Sequence, residues 1–208
     1  MAPSRQDAHA GRQEALLAAA AAVFAEHGYH AATVAEITRR AKVATGTFYL
    51  YFPSKEHCFG QLIALFYEKV LRRVRERRRG APSVAVKLDR SVQAVLHCFR
   101  EERALAEIVL VRASGTTPAL QERLATIEAE LRSLLADDLA EAAASGLVPA
   151  GNAALRARLL LAAMREALVY ELREGGGMPG TDLEVRRFLL RAVGAGSVRV
   201  EEDGQTSS

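Results

Sequence analysis

The sequence predicts an all-α protein of about nine helices. Apolar residues recur at the 3.6-residue spacing of amphipathic helices along most of the 208 residues. The strict alternation and the β-branched runs that are typical of strands are nearly absent. Glycine and proline residues interrupt the periodic segments and divide them into separate helices. The hydrophobic share of 50% and the charged share of 25% are those of a globular chain that can bury a core.

The first predicted helix runs from about Arg12 to His27. Leu16, Ala20 and Phe24 lie on one stripe of this helix, so the stripe predicts the face that packs against later helices. Gly28 follows as a stop signal, because glycine readily takes the left-handed conformation that ends many helices.

Thr33 and Glu36 mark the start of the second predicted helix. Their spacing is that of a capping box, in which each side chain bonds a backbone N–H that the helix leaves unpaired. After a short break at residues 42–43, a compact third helix is predicted from Ala44 to Phe52. It ends there because Pro53 cannot continue a helix.

The rest of the chain predicts six more helices. The fourth begins at Lys55, after the capping residue Ser54, and extends to about Arg79, where Gly80-Ala81-Pro82 ends it. Residues 196–208 are polar and contain glycine and serine, which predicts a frayed tail. The five later helices are predicted at Ser83 to Arg100, Arg103 to Ala113, Pro118 to Ser145, Asn152 to Arg173 and Asp182 to Val193.

Charge is divided unevenly along the chain. Residues 1–80 contain 13 Lys or Arg and 7 Asp or Glu, a balance of +6, whereas residues 81–208 contain 15 and 18, a balance of −3. A basic first part followed by a mildly acidic second part indicates that only the first part binds a polyanion. A chance asymmetry of solvated surface charges is the alternative.

Several function classes find no support in the sequence. The two cysteines, Cys58 and Cys98, lack disulfide or metal-ligand spacing, so we expect no metal, no cofactor and a cytoplasmic location. No apolar stretch near the start reaches the roughly 20 residues of a membrane span, so we expect no membrane partner. A helical enzyme that acts on a lipid-like molecule is a rival interpretation. It would need a catalytic set, and His57 beside Cys58 is not one, because adjacent residues on a helix point about 100° apart.

The second and third predicted helices form a helix-turn-helix. Apolar residues of the two helices can meet in one small core, to which the first helix adds two more. The residues are Ile37, Ala41, Val43 and Phe48, with Leu17 and Phe24 from the first helix. In such a motif the second helix lies in the DNA major groove while the first crosses the backbone. The same shape also occurs as a plain pair of packed helices, so the spacing alone leaves both interpretations open.

Residue types in and after the third predicted helix favour DNA binding. Its first residues are small and polar, where such a helix approaches base edges and phosphates, and a glycine lets the backbone come close. Two tyrosine hydroxyls and a lysine ammonium follow, and these groups can contact phosphate oxygens, although each alone also fits packing or solvation. The residues concerned are Thr45, Gly46, Thr47, Tyr49, Tyr51 and Lys55.

The segment from Gly28 to Leu62, GYHAATVAEITRRAKVATGTFYLYFPSKEHCFGQL, resembles the DNA-binding signature of the TetR family of transcription regulators. It follows that signature without a gap. The resemblance implies a three-helix DNA-binding domain, then a helical domain for ligand binding and dimerisation. It also implies a repressor that binds a palindromic operator as a dimer and is released by a small hydrophobic effector. Carried over by position, it implies that Thr45, Gly46 and Thr47 face the groove, and that Thr33, Tyr49, Tyr51 and Lys55 contact the DNA backbone.

Three residues depart from the family pattern. Lys42 stands where the family usually has glycine, so this turn must be made by a residue that disfavours positive φ. Ala44 replaces the usual serine cap, and we expect the capping role to shift to Thr45 at a cost of about 1 kcal/mol. Tyr51 stands where histidine is common in the family.

The second part of the chain predicts a dimer. The helix at Asn152 to Arg173 is apolar nearly all round, so it must be covered on more than one side. One face can pack in its own domain and another on a second subunit, in an isologous interface of two helices from each chain. A central core helix in a monomer is the alternative. The candidate interface residues are Leu155, Leu159, Ala163, Phe188 and Leu189.

The effector is expected among the helices that begin near residues 55, 83, 103, 118 and 152. The residues Gly-Thr-Phe-Tyr-Leu-Tyr-Phe of the third helix also resemble the branch of the family that represses fatty-acid degradation and responds to acyl-CoA. An acyl-CoA is therefore one candidate for the effector. Most apolar candidates fit a plain core equally well. The candidate lining residues are Leu62, Phe66, Val95, Phe99, Val109 and Met164, and the candidate polar anchors are Arg112, Arg165 and Tyr170.

These predictions divide the chain by function. Residues 1–54 are the DNA-binding domain, residues 55–195 the effector-binding and dimerisation domain connected through the helix at 55–79, and residues 196–208 the tail. A non-specific architectural DNA-binding protein is a second rival interpretation, but it would not need the large apolar second part.

Overall fold

Every regular element of the described chain is an α-helix, which confirms the predicted fold class. The computed structural model describes residues 5–111, 118–174, 181–192 and 194, and no strand occurs in these ranges. The predicted tail at residues 196–208 lies outside them. The helices of the described ranges are α1 (Arg5–Ala31), α2 (Val34–Arg40), α3 (Thr45–Tyr49), α4 (Lys55–Arg78), α5 (Val84–Glu101), α6 (Arg103–Val111), α7 (Pro118–Ala144), α8 (Ala153–Arg173) and α9 (Thr181–Ala192).

Helix α1 starts earlier than predicted and is interrupted where the sequence places its end. Gly28 has φ 76° and ψ 166°, so its backbone is not helical, and a single turn follows to Ala31. Ala32 N donates to the Gly28 carbonyl at 3.2 Å. A positive φ of this size is open to glycine at little cost, which explains the break in the helix at this position.

The predicted capping box at the start of α2 is confirmed. Thr33 is the N-cap, and its hydroxyl accepts from Glu36 N at 3.2 Å. Glu36 Oε2 in turn accepts from the backbone N of Thr33 at 2.9 Å and from its hydroxyl at 2.7 Å. The hydrogen bonds from Thr33 lower the pKa of the Glu36 carboxyl. Both ends of the box therefore stabilise the helix start.

The turn between α2 and α3 departs from the family pattern as the sequence indicates. Lys42 adopts φ 56°, the left-handed conformation that a lysine disfavours. The expected shift of the cap to Thr45 is wrong. Ala44 remains the N-cap, with no side-chain hydrogen bond, and α3 begins at Thr45. The Thr45 hydroxyl instead lies 3.4 Å from that of Thr38.

The first three helices share a core that fixes α3. Leu16 and Phe24 of α1, Ile37 of α2 and Phe48 of α3 are fully buried, as is Phe52 just after α3. The predicted burial of Ile37 and Phe48 is confirmed. Two other predicted core residues are only half-buried, because they lie at the turn where the backbone reaches the surface: Ala41 and Val43.

The chain forms two compact units. The first consists of Met1–Tyr67 with Glu102–Leu124, and the second of Glu68–Glu101 with Ala125–Ser208. Helix α6 joins the first unit because it packs against α1. The first break between the compact units lies at residues 67–68, whereas the predicted functional boundary lies at residues 54–55. The functional boundary stays a prediction. Helix α4 begins in the first unit and ends in the second.

The second unit combines an apolar core with a buried ion pair. Val84, Leu139 and Leu190 belong to its core cluster. Arg186 of α9 donates from Nε to Asp89 Oδ1 and from Nη2 to Asp89 Oδ2, both at 2.7 Å, and both side chains are buried. This two-pronged contact joins α9 to α5.

No helix in the described part of the chain combines the length and hydropathy of a membrane span.

Candidate nucleic-acid interface

Helix α3 is attached to the core on one side and open on the other. Phe48 and Phe52 are its buried side, with ring centroids 5.3 Å apart. Thr45, Gly46 and Tyr49 are exposed. Three of the residues predicted to bind DNA therefore lie on the surface of this short helix.

Neither steric crowding nor backbone conformation in the folded chain requires a glycine at position 46. A Cβ built at this position meets no atom within 4 Å, and the backbone is not in the left-handed region. Alanine would be favoured over glycine in such a helix by about 0.5–1 kcal/mol. The open space in front of Gly46 is consistent with the predicted close approach of a ligand to the α3 backbone.

The two tyrosines after Gly46 differ in exposure. Tyr49 is 56% exposed, and its ring forms an edge-to-face contact with that of Phe48, with centroids 5.4 Å apart. Tyr51 is half-buried, and its ring lies 4.4 Å from that of His9, near the start of α1. Tyr49 thus has a supported ring and an accessible side chain, which suits a contact with a phosphate oxygen.

The Lys55 ammonium is occupied within the protein. Its Nζ donates to the carbonyl oxygens of Tyr29 and Ala32, both at 2.8 Å, and to that of His30 at 3.4 Å. It also lies 4.6 Å from the centroid of the Tyr29 ring. An ammonium has three N–H donors, so a phosphate contact by Lys55 would have to replace one of these carbonyls or share its donor.

Tyr29 is held in place beside Lys55. Burial, with a hydrogen bond to the Glu56 carboxylate, raises the pKa of Tyr29 to about 12. Its ring packs on Phe59 with centroids 4.6 Å apart. Tyr29, Lys55 and Glu56 together join the end of α1 to the start of α4 and so hold the helix-turn-helix in position.

The two remaining DNA-binding candidates differ in surroundings. Thr33 is exposed, but its hydroxyl already serves the capping box, so a phosphate contact would compete with Glu36. Thr47 is half-buried on the flank of α3.

Basic side chains surround the turn before α3. Arg39 and Lys42 are exposed. Arg40 forms an ion pair with Glu26 of α1 at 2.6 Å, and this hydrogen bond lowers the pKa of the Glu26 carboxyl. Exposed cations next to a helix that could enter a groove are the arrangement that attracts a DNA backbone.

The effector candidates are distributed over both units. Leu62, Phe66 and Val109 are buried in the first unit, and Phe99 and Met164 in the second. In the second unit Val95 is half-buried, while Arg165 and Tyr170 are exposed. Arg112 lies outside the described residues. Their role in binding an effector stays a prediction.

Four of the five dimer candidates have surface available. Leu155 and Leu159 of α8 are 52% and 61% exposed, and Phe188 of α9 is 62% exposed. Ala163 is half-buried, whereas Leu189 is buried within its own chain and has little surface left for a partner. Helices α8 and α9 pack against each other, so the exposed leucines and the phenylalanine belong to one pair of helices.

Sequence reasoning missed Leu50. It follows Tyr49 directly and is 78% exposed, more than any other large apolar side chain of the described residues. Helical spacing was the available signal, because Leu50 lies on the side of the turn opposite Phe48 and Phe52.

Comparison with known proteins decides the family. The model of bacterial regulatory proteins of the tetR family matches residues 16–62. The HTH-type transcriptional regulator UidR of Escherichia coli is 30% identical over 148 residues, which cover 70% of this chain and 74% of UidR. The chain belongs to the TetR family. The resemblance of its helix-turn-helix segment is thereby confirmed.

Other relatives match this TetR-family chain over shorter stretches. The Fatty acid metabolism regulator protein of Bacillus subtilis is 49% identical over 55 residues, which cover 26% of this chain and 27% of that protein. The chain spans about a quarter to a half of the length of the Bacillus subtilis relatives that it matches first. This similarity is therefore concentrated in part of the chain.

A solved structure shares the fold over most of the chain. FadR from Bacillus subtilis, in complex with stearoyl-CoA, superimposes with a TM-score of 0.76 and 22% identity. The match covers 88% of this chain and 98% of FadR. At this identity the match shows a common fold, with the helix-turn-helix followed by a helical second part.

The relatives of this TetR-family protein are regulators and not enzymes. Among the described residues, no group of three potential metal-binding side chains occurs. Cys58, the residue behind the idea of thiol chemistry, is fully buried, and burial raises the pKa of its thiol to about 12.

We expect Cys58 to resist alkylation in the folded protein. At pH 8 the thiolate, which is the reactive form, is a negligible fraction of a group with a pKa of about 12. Iodoacetamide labelling followed by peptide mass spectrometry should find Cys58 modified only after denaturation. Rapid labelling of Cys58 in the native protein would contradict this prediction.

Proposed function

We propose that this TetR-family regulator is a repressor that binds a palindromic operator as a homodimer and is released by a small hydrophobic effector. The observation that carries the DNA contact is the open outer side of α3, where Gly46 is glycine without a folding reason. Thr45, Gly46 and Thr47 would face the major groove. Tyr49 and Tyr51 would bond phosphate oxygens, as would Thr33 and Lys55 in exchange for present partners.

The exposed apolar residues of α8 and α9 support the dimer. A chain that leaves Leu155, Leu159 and Phe188 more than half exposed on two packed helices gains by covering them. In an isologous pairing each chain supplies the same two helices, with Ala163 near the centre and Leu189 beneath. Two copies of α3 would then read two half sites, which explains the proposed palindrome.

An acyl-CoA is the proposed effector. FadR from Bacillus subtilis shares the fold and holds stearoyl-CoA. The proposed contacts are those of the sequence prediction: Leu62, Phe66, Val95, Phe99, Val109, Arg112, Met164 and Tyr170. The effector need only bind one arrangement of the dimer better than the other to release the operator. Helix α4 is one continuous helix with its ends in different units, which makes it the proposed path of this response.

Exchange of Gly46 for alanine separates DNA binding from folding. The added methyl group meets nothing in the free protein, so Gly46→Ala should raise the free energy of unfolding by about 0.5–1 kcal/mol. In the complex the same methyl group would hold α3 away from the groove, and we expect at least a tenfold loss of affinity. Fluorescence anisotropy with labelled duplexes from upstream of the protein's own gene measures the affinity, and urea unfolding measures the stability.

Gly11→Ala is the matched control. A Cβ at Gly11 of α1 likewise meets nothing within 4 Å. Gly11 lies two residues after His9, about 200° further round the helix, and so points away from the Tyr51 side. This variant should gain similar stability and keep the affinity of the wild type. Equal affinity of Gly46→Ala and wild-type protein for the duplex would contradict the proposed contact.

A further inference from the structure

We propose that Leu50 is a specificity-determining residue that contacts the C5-methyl groups of thymine in the major groove. This inference rests on the proposed operator binding by α3 and adds to it the base that one side chain recognises. The Leu50 side chain points away from the core, is largely exposed to solvent and offers only apolar surface to DNA.

The backbone fixes the direction of Leu50. Leu50 is the C-cap of α3 and keeps helical angles, φ −73° and ψ −20°. The helical turn continues past it, because Phe52 N donates to the Phe48 carbonyl at 2.9 Å. At about 100° per residue, Leu50 points roughly 180° away from the mean direction of the buried rings of Phe48 and Phe52. It therefore projects outward from the core more directly than any other residue of this turn.

Leu50 has no packing role that would explain a leucine. Its side chain is 78% exposed, beside Tyr49 at 56%. Gly46 lies one turn earlier, about 40° away round the same outer side, where the backbone is open. Any structure that comes close to Gly46 from outside must therefore cover Leu50 as well.

A leucine restricts what the partner can offer at this point. Its side chain neither donates nor accepts a hydrogen bond, so it cannot pair with a phosphate oxygen or a polar base edge. In the major groove of B-form DNA, the apolar group that distinguishes one base from the others is the C5-methyl of thymine. Contact with that methyl group would remove both apolar surfaces from water, and the leucine would then favour thymine at one position of each half site.

Deoxyuridine tests the contact directly, because it differs from thymidine only by the missing methyl group. An operator duplex is first selected from a random library with the full-length protein. Each thymine is then replaced singly by deoxyuridine, in both half sites together. Fluorescence anisotropy gives the affinities of the wild type, of Leu50→Ala and of Leu65→Ala. Leu65 of α4 is the control, since it is also an exposed leucine of the first unit, at 44%.

We expect one thymine position at which deoxyuridine weakens binding of the wild type by about fourfold per half site. Leu50→Ala should bind the unmodified duplex with a similar loss and be indifferent to the exchange at that position. Leu65→Ala should behave as the wild type. Wild-type affinity that is unchanged at every deoxyuridine position, or an equal deoxyuridine penalty in Leu50→Ala, overturns the inference.

The failure of this inference can be told apart from failure of the proposed function. If no duplex is selected and none binds, operator binding itself is wrong and the Leu50 contact falls with it. If a duplex binds, and Gly46→Ala weakens it but no thymine methyl group matters, only the role of Leu50 is wrong. A change in oligomeric state of Leu50→Ala with no change in the thymine preference would assign Leu50 to a protein contact instead.

Discussion

Replacement of Asp89 by alanine is expected to lower the free energy of unfolding by about 3–5 kcal/mol. The change removes the buried carboxylate that accepts hydrogen bonds from Arg186 Nε and Nη2, both at 2.7 Å, and so leaves the buried guanidinium without this counter-charge. Gln93 compensates in part. With its amide oxygen turned towards Arg186, that oxygen accepts from Nη2 at 2.5 Å and from Nη1 at 3.0 Å, but it carries no charge. Urea unfolding followed by circular dichroism measures the loss.

Glu141→Ala is the matched control for a carboxylate on the surface. Glu141 accepts from Lys87 Nζ at 2.8 Å, and its side chain is 56% exposed. Exposed pairs contribute at most about 1 kcal/mol, so this variant should remain close to the wild type. The double exchange Asp89→Leu with Arg186→Met should recover much of the stability, because it removes both buried charges. A loss below about 1 kcal/mol in Asp89→Ala would contradict the importance of the buried pair.

Replacement of Leu159 and Phe188 by glutamate should convert the proposed dimer into monomers. In an isologous interface each change occurs twice, so four carboxylates would have to be buried or the interface opened. We expect the dimer dissociation constant to rise at least a hundredfold, about 2.7 kcal/mol. The affinity for a two-half-site duplex should fall with it. Sedimentation equilibrium measures the first effect and fluorescence anisotropy the second.

Leu65→Glu places the same charge on an exposed leucine of α4, outside the proposed interface. This control should keep the wild-type association state and fold. A double variant that sediments as a dimer, with native helical content, would exclude α8 and α9 as the interface.

Local signals predicted most of the helices. The periodic pattern placed every helix start from α2 onward within about two residues, because helix ends depend on caps and breakers that stand in the sequence itself. Thr33 with Glu36, and Gly28, acted as the sequence indicates. The start of α1 was missed because residues 5–11 carry no strong apolar stripe.

Contacts between distant residues could not be read from the pattern. Asp89 and Arg186 are separated by 97 positions, and nothing local indicates that they meet. The carbonyls that bind the Lys55 ammonium lie 23 to 26 residues earlier in the chain. The local sequence around Lys55 therefore gives no sign that its ammonium is bound at the end of α1. The packing of α6 on α1 also joins segments that are far apart in the chain, and the local pattern does not indicate it.

The outer side of α3 could be predicted only in part. Residue types identified Thr45 and the tyrosines, because their hydroxyl groups match phosphates and base edges, and Gly46, because a glycine lets the backbone come close. Leu50 was missed because an apolar residue in a short helix is ordinarily expected to be buried. The exposure of 78% corrects that expectation.

Titration of the wild-type protein and of Gly46→Ala with upstream duplexes, over a range of salt concentrations, tests the proposed DNA contact most directly. We predict saturable binding by the wild type at low salt, with an affinity that falls steeply as salt rises because phosphate counterions are released on binding. Gly46→Ala should bind at least tenfold more weakly at each concentration. Wild-type protein that binds no duplex at about 50 mM salt, or that binds with an affinity independent of salt, would show that α3 does not bind DNA.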